Sequence, residues 1–443
     1  RELAGRPEMQ GILGLSKEEH RARVLGQLKL MVEHGQVKLS FPREFGGLED
    51  HGGNLAAFQE LVVADPSLQI KSGVQWGLFT AAILHLGTKP HHELWLPSAI
   101  SLETPGVYAM TETGHGSDVS SIATTATFDV DTQDWVINTP FRGAWKDYLG
   151  NAALHGRAAV VFAQLITKGV NHGVHAFYVP IRDHEGNFFP GVGGEDDGLK
   201  GGLNGIDNGR LHFDNVRVPR TNLLNRYGDV AEDGTYTSPI ASPGRRFFTM
   251  LGTLVQGRVS LDGAAVNASK LALQIAVTYG NQRRQFGQPG EGETVLLDYQ
   301  RHQRRLIPLI ATTYAQAFSQ EVLLEKFDSV FSGADDTDDN RQDLETLAAA
   351  LKPLSTWHAL HTLQEAREAC GGQGFLAENR LTALRADMDI YVTFEGDNNV
   401  LLQLVAKRLL TDYSRKFKDA DTGTLARLVM EQVTERAVTG SGL

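Results

Sequence analysis

Three short stretches of this sequence carry residue types that could do chemistry. In Tyr391-Val392-Thr393-Phe394-Glu395-Gly396-Asp397-Asn398-Asn399-Val400, a carboxylate stands between aromatic residues and a helix start. The apolar run reads as extended, with Asp397 or Asn398 capping the helix that follows. Tyr391 and Phe394 would strip water from Glu395 and raise its pKa, while the helix N-terminus would lower it. A carboxylate balanced in this way suits a general base, and the same pattern suits a simple capping residue. In Tyr279-Gly280-Asn281-Gln282-Arg283-Arg284-Gln285-Phe286-Gly287, two arginines end a helical run. Paired guanidinium forks match a diphosphate, and a basic helix end equally answers the macrodipole. The third stretch, Tyr108-Ala109-Met110-Thr111-Glu112-Thr113-Gly114-His115-Gly116-Ser117-Asp118, crowds hydroxyls, glycines and backbone amides together. It would suit a flat polar ring, although on composition alone an ordinary polar loop reads better.

Other patterns fail on their geometry. Gly372-Gln373-Gly374-Phe375-Leu376-Ala377 matches a relaxed dinucleotide fingerprint, but a helix ending at Cys370 precedes it where a strand is needed. These glycines read instead as a helix C-cap that lets a ligand or another chain approach closely. His358 and His361 share a helix face without a Glu or Cys at metal-binding spacing. Asp129, Asp131 and Asp134 begin like a calcium loop, but Pro140 stands at the closing position, so they read as a turn. No metal site is expected. The absence of a G-x-S-x-G elbow and of a P-loop argues against a serine hydrolase or a nucleotide kinase.

The elements that would position these stretches fall into three regions. Residues 1–105 have helical spacing at 18–33 and 55–86, with glycine turns at Phe45-Gly46-Gly47 and His51-Gly52-Gly53, and Pro97 and Pro105 closing the region. Residues 106–241 carry strand-like runs at 124–128, 135–138, 158–165 and 175–180, as in an antiparallel sandwich or barrel. Residues 242–443 return to helices, at 246–280, 294–331, 342–370 and from near Asn398. Helices, a β module and a helical bundle make an α+β chain rather than a doubly wound one.

The 443 residues suffice for several domains, and 41% apolar with 21% charged residues is a globular balance. A net charge of −11 argues against nucleic acid or an anionic membrane as the main partner, leaving phosphate binding to a few local arginines. The single cysteine, Cys370, cannot form an intrachain disulfide, which fits a reducing compartment. No apolar run is long enough to span a membrane. Arg1-Glu2-Leu3 is no signal peptide, and the missing initiating methionine suggests a piece of a longer protein.

Taken in order, these segments resemble the acyl-CoA oxidases, within the acyl-CoA dehydrogenase superfamily. The likeness covers nearly the whole chain. It runs through Phe41-Pro42-Arg43-Glu44-Phe45-Gly46-Gly47, Thr111-Glu112-Thr113-Gly114-His115-Gly116 and Gly173-Val174-His175-Ala176-Phe177-Tyr178-Val179-Pro180-Ile181-Arg182. It continues through Arg283-Arg284-Gln285-Phe286-Gly287, Gly371-Gly372-Gln373-Gly374-Phe375 and Thr393-Phe394-Glu395-Gly396-Asp397-Asn398. The resemblance implies an FAD enzyme of fatty acid β-oxidation, a homodimer with an N-terminal helical domain, a middle β-barrel and a C-terminal four-helix bundle. Glu395 falls at the family's catalytic glutamate, which takes the pro-R α-proton of an acyl-CoA while the β-hydride passes to the flavin, giving the trans-2-enoyl-CoA. In the oxidase branch O2 reoxidises the flavin and yields hydrogen peroxide. Thr111 and Gly150 match the family's flavin contacts, and Arg284, Gln285 and Phe286 its flavin-diphosphate segment. Gly371, Gly372, Gln373 and Gly374 match the segment that meets the partner subunit's flavin. Arg258 is expected to orient the glutamate or the CoA of the substrate, and Gly116 and Ser117 are expected at the substrate.

Some positions depart from the family. Thr113 stands where many oxidases carry methionine, and Ala144-Trp145-Lys146-Asp147-Tyr148 replaces a segment richer in tryptophan. The family's second C-terminal helical domain is expected to be absent or truncated, and Ser441-Gly442-Leu443 is a poor peroxisomal signal. Two alternatives remain open at this level: a dehydrogenase that passes electrons to an electron-transfer flavoprotein, and a non-catalytic acyl-CoA-binding relative. The expected compartment is the cytoplasm if the source is bacterial, which is preferred, and the peroxisome if it is eukaryotic.

Overall fold

The computed structural model describes residues 1–252 and 255–418; Ser441-Gly442-Leu443 lies outside them. Helix α1 (Lys17–Glu33) begins at a capping box, in which Glu19 N donates to Ser16 Oγ at 3.2 Å and Ser16 N donates to Glu19 Oε2 at 2.8 Å. The glycine turn expected at residues 51–53 is instead the first turn of α2 (His51–Ala64). Gly53 N donates to Asp50 Oδ1 at 2.8 Å and Gly52 N to Asp328 Oδ1 at 2.9 Å. The two glycines thus let two carboxylates close on a helix start, where they also favour its dipole.

Helix α3 (Pro66–Ser72), a π-helical stretch over Gly73–Thr80, α4 (Ala81–Leu86) and α5 (Lys89–Ile100) follow. Pro97 does not close this region; it sits inside α5. The backbone bond it removes is borne by a helix anchored through buried Trp95, Leu96, Ala99 and Ile100. Gln75, fully buried, joins this region to the first strand. Its Nε2 donates to the carbonyls of Ala99 and Thr104, and its Oε1 accepts from Gly106 N at 2.8 Å. Gly106 packs flat on Phe79, and a Cβ there would overlap the ring.

The middle region holds β1 (Gly106–Ala109), β2 (Thr125–Asp129), β3 (Asp134–Asn138), β4 (Lys146–Leu149), β5 (Ala158–Thr167), β6 (Val170–Pro180), β7 (Val192–Asp196), β8 (Gly209–Phe213) and β9 (Val216–Pro219). A six-stranded sheet runs β1-β5-β2-β3-β9 with β6 also on β5, and a three-stranded sheet runs β4-β8-β7. The expectation of purely antiparallel pairing is corrected. β1 and β2 both pair parallel with β5, end to end along one edge, from Gly106↔Ala158 to Ala109↔Val161 and from Thr125↔Gln164 to Thr127↔Ile166. Parallel pairs need long crossovers, and the segments 110–124 and 130–157 supply them. Alternation then splits the sheet's side chains. Val107, Ala109, Val161 and Phe177 join one core with Trp135 and Ile137, while Val160, Phe162, Ala176 and Tyr178 pack on the N-terminal helices. Tyr178 stacks on Trp95 with ring centroids 3.9 Å apart.

After the small pair β10 (Asp229–Val230) and β11 (Tyr236–Thr237), the chain returns to helices: α6 (Pro243–Gly252), α7 (Gln256–Gln282), α8 (Gln300–Phe331), α9 (Asp338–Ala369), α10 (Leu381–Met388) and α11 (Asn398–Lys418). Of the helical run expected over 246–280, the described residues form α6 and α7, on either side of residues 253–254. α8 starts later than expected, because Thr294–Val295 forms strand β13, paired with β12 (Arg284–Gln285). Ala264, Ala265, Ala268, Ala272 and Ala276 face Ala359 and Ala366, so α7 and α9 approach closely. Gly263 lets α2 in as well, since a Cβ there would overlap the Gln59 amide. The buried Lys71–Asp207 pair, with His155 Nδ1 3.0 Å from the ammonium, locks α3 to the loops of the sheet.

Gly106→Ala should lower stability by about 1–3 kcal/mol, the usual cost of forcing a methyl group into packed space. Denaturant unfolding of the purified variant checks this, and an unchanged midpoint would refute the packing argument.

Candidate active site

The stretch before Glu395 is not extended, as the sequence suggests, but a 3₁₀ turn over Asp389–Val392. Tyr391 explains the difference: it is fully buried, its hydroxyl donates to Gln69 Oε1 at 2.7 Å, and its ring packs on Phe394. Glu395 and Gly396 then adopt φ values of 55° and 97°. A left-handed conformation costs a non-glycine residue roughly 1–2 kcal/mol, so surrounding contacts must hold Glu395 there. Asp397 caps α11, its Oδ1 accepting from Asn399 N at 2.9 Å.

Three other elements converge on the Glu395 carboxylate. From α7, Gly257 lies so close that a Cβ would overlap Glu395 Oε2. One residue on, Arg258 Nε donates to the Glu395 main-chain oxygen at 3.4 Å. From α9 comes Lys352, and from β1 comes Tyr108, whose phenol burial and the Glu395 charge hold well above its ordinary range. Burial raises the Glu395 carboxyl, and Arg258 and Lys352 pull against that rise. The sequence assigns the downward pull to the helix N-terminus; here two cations on neighbouring helices supply it. The ionised form therefore needs a higher pH than an exposed glutamate does.

Tyr108 and Met110 lead into the segment 111–118, which leaves the sheet where β1 hands the edge of β5 to β2. Its shape is set by Glu112, which is fully buried. The Glu112 carboxylate accepts from Ala123 N at 2.7 Å, Thr124 N at 2.9 Å, Thr124 Oγ1 at 2.6 Å and Lys146 Nζ at 3.0 Å. Burial alone would raise Glu112, but these donors hold it below its usual range, while burial draws Lys146 down to about 8. Asp147 N donates to the Thr111 carbonyl at 3.0 Å, which fixes Thr111 at the inner end of the loop. Gly116 and Ser117 are exposed on its outer part, and among the described residues neither bonds to the Glu395 cluster. Gly150 is buried, and a Cβ there would press on Val74 of the π-helical stretch.

At the far end of α7, Arg284 is exposed on β12 and Phe286 is 74% exposed with φ 54°. The Gln285 carbonyl accepts from Tyr299 at 2.8 Å. Alongside lies a cleft of about 380 Å³, with Gln274, Thr278, Tyr279, Gln282, Gln373 and Asn379 among its lining residues. Its amides and hydroxyls beside apolar Leu271, Ile275 and Leu381 suit a heterocyclic ring, and its size is that of a ligand site. Gly371 ends α9 at φ 58°, and a Cβ on Gly371 or Gly372 would meet open space. Gly374 differs, because a Cβ there would overlap the Arg367 carbonyl. α7 spans 27 residues, so at 1.5 Å per residue its two ends lie about 40 Å apart. One chain therefore separates Glu395 and Arg258 from Arg284 and the glycine turn. The donor set, comprising a shaped polar loop, an exposed guanidinium and an amide-lined cleft, fits a flavin dinucleotide.

Three family models match in order: acyl-CoA dehydrogenase, N-terminal domain, over residues 12–103; acyl-CoA dehydrogenase, middle domain, over 107–216; and acyl-CoA oxidase, C-alpha1 domain, over 251–410. The chain is 45% identical over 421 residues to an Arabidopsis thaliana protein named acyl-coenzyme A oxidase 2, peroxisomal, a match covering 93% of this chain and 60% of that one. The chain belongs to the acyl-CoA oxidase family. The crystal structure of acyl-CoA oxidase 3 from Yarrowia lipolytica superposes with a TM-score of 0.82 at 33% identity, covering 95% of this chain and 61% of that one. The Caenorhabditis elegans acyl-CoA oxidase 2 bound with FAD, ascaroside-CoA and ATP superposes at 0.78 with 28% identity, over 96% and 63% of the two chains. The chain thus spans about three fifths of the length of these relatives.

Sequence reasoning missed Gly257 and Lys352, the pairing of Glu112 with Lys146, and the approach of Tyr108 to Glu395. Two signals were available. Gly257 sits within a helical run, where glycine costs about 1 kcal/mol relative to alanine, and Lys352 falls on a stripe of buried positions with Ala348, Ala349, Thr356 and Ala359.

Lys146→Met should leave Glu112 buried and unpaired at a cost of about 3–5 kcal/mol. Chemical denaturation checks this. The double variant with Glu112→Gln should recover much of the loss, and equal losses in single and double variants would contradict the pairing.

Proposed function

We propose that this chain carries the α,β-dehydrogenation site of an acyl-CoA oxidase, acting on acyl-CoA thioesters to give trans-2-enoyl-CoA and, with O2 as acceptor, hydrogen peroxide. The observation that carries this reading is Glu395, half-buried between Arg258 and Lys352 with Gly257 clearing the space at its oxygen. FAD, when bound, supplies the acceptor for the β-hydride and the route by which its electrons reach oxygen. The chain's own residues do the rest. Glu395 takes the α-proton onto a carboxylate oxygen, and its raised proton affinity makes it a stronger base than an exposed glutamate. Backbone donors near Glu395 polarise the thioester carbonyl, which makes that proton more acidic. Arg258 fixes the Glu395 main chain, and Tyr108 with Phe394 keeps water from the carboxylate.

In this reading Thr111 and Gly150 would help hold the flavin, and Gly116 and Ser117 the substrate. Arg284, Gln285 and Phe286 would hold the flavin diphosphate, and Gly371, Gly372, Gln373 and Gly374 would meet the flavin of the partner subunit. The length of α7 supports a homodimer. An extended dinucleotide cannot reach both ends of that helix, so each flavin would draw on Glu395 from one subunit and Arg284 from the other. Tyr314, Phe318 and Val322, 62%, 60% and 58% exposed along one face of α8, offer apolar surface for a second copy. The domain limits we assign are 1–105, 106–241 and 242–443. The compartment we assign is the peroxisome, as in the names of the curated relatives; none of those names supports the bacterial, cytoplasmic preference.

Glu395→Gln should retain flavin absorbance but lose turnover by about 10²–10⁴-fold, the usual weight of a general base. Near-normal turnover would refute the assignment. In the unmodified protein, turnover should fall as pH drops through the raised Glu395 value, and peroxide should match enoyl-CoA one for one under air. Enoyl-CoA formed without peroxide would favour a dehydrogenase. Arg284→Ala should purify with less flavin, and full retention would contradict the diphosphate role.

A further inference from the structure

We propose that Lys352 is a positioning residue that sets both the conformation and the proton affinity of Glu395. The inference rests on the reading of Glu395 as the base, and it goes beyond that reading by assigning the group that tunes it. Lys352 comes from the middle of α9 and is 0% exposed, a costly place for an ammonium group unless its position is needed. Its Nζ donates to the Gly396 carbonyl at 2.7 Å and to Asn398 Oδ1 at 3.0 Å. Asn398 in turn donates from Nδ2 to Thr356 Oγ1 at 3.0 Å, and Thr356 Oγ1 donates to the Lys352 carbonyl at 2.8 Å. These contacts form a closed ring of donors and acceptors, and it grips the residue after Glu395 and the first residue of α11.

That grip accounts for an otherwise unfavourable backbone. Glu395 and Gly396 stand in consecutive left-handed conformations, which a turn free in solvent would leave. Arg258 holds the Glu395 carbonyl from α7, and Lys352 holds the Gly396 carbonyl from α9, so the turn is pinned on both sides. The charged groups facing Glu395 are Arg258 on α7, Lys352 on α9 and, when ionised, Tyr108 on β1. Asp397 adds to the field around Lys352, and Glu345 on α9 lies within the field of Arg258. Among the described residues Lys352 has no carboxylate in hydrogen-bond contact. Burial draws its ammonium down to about 8, and Glu395 is the first of the charges that support it. The two groups therefore favour each other's ionised forms.

The test uses the flavin-loaded full chain and reads the Glu395 carboxyl directly, as the infrared band present in the parent protein and absent from Glu395→Gln. In Lys352→Met the titration midpoint of that band should rise by about one unit, as expected when a nearby cation is removed. The acid limb of kcat should rise with it. Lys352→Gln, which keeps a donor for Gly396 but no charge, should shift the midpoint equally while retaining more of kcat. Thr356→Val breaks the ring without removing charge, so it should lower kcat and leave the midpoint in place. An unshifted midpoint in either folded Lys352 variant would overturn the proposal, as would failure of both to fold, since Lys352 would then be a determinant of the fold itself. Full turnover in Glu395→Gln would overturn the base assignment instead and leave the infrared comparison standing.

Discussion

A carboxylate that must lose much of its water and still ionise needs positive charge close by, and this requirement organises the centre of the molecule. Glu395 meets it through cations on two different helices, Arg258 at the start of α7 and Lys352 in the middle of α9. Those helices pack closely because their shared face is largely alanine, which leaves the cations short paths to the turn between them. Gly257 is part of the same arrangement. Its missing side chain is the volume that the Glu395 carboxylate occupies. Shifting α7 by one turn would replace that gap with a side chain and move the arginine away.

The middle sheet supplies the opposite wall by a comparable device. Glu112, buried with Lys146, gathers two backbone amides and a hydroxyl from the far end of its own loop. The loop is thereby folded around a charge pair instead of an apolar plug, and the residues it presents outward stay polar. Gln75 and the Lys71–Asp207 pair hold the N-terminal helices against this wall with directional bonds, fixing the angle between layers whose apolar contacts alone would allow sliding.

Much of this was legible in the sequence. The change from helical to strand-like period and back, the strands near 125–138 and 158–180, and the cap at Asp397 follow from local patterns that the structure keeps. Glu395 itself stood out because aromatic residues and a helix start flank it. What local pattern could not give was pairing in space. Parallel contacts of β1 and β2 with β5 depend on segments far apart in the chain. The His51-Gly52-Gly53 helix start escaped for a related reason, since one of the carboxylates closing it, Asp328, lies in a distant helix. Lys352 looks like an ordinary helix residue until the fold brings it to the same turn as Arg258. The same distance effect, along α7, separates the two groups of site residues that read as neighbours in function.

The end-to-end pairing of β1 and β2 along β5 also governs when the site can form during synthesis. Residues 110–124 have no fixed path until β5 exists to hold both flanking strands, and β5 lies some tens of residues further along. Closing such a loop costs entropy before any contact offsets it, so this pairing is a slow, late step. Until then the helices that precede β1 have no sheet to cover Phe79, Trp95 and their neighbours. The interval over which that apolar face stays uncovered in a nascent chain is thus set by the position of β5 rather than by the length of the helical region.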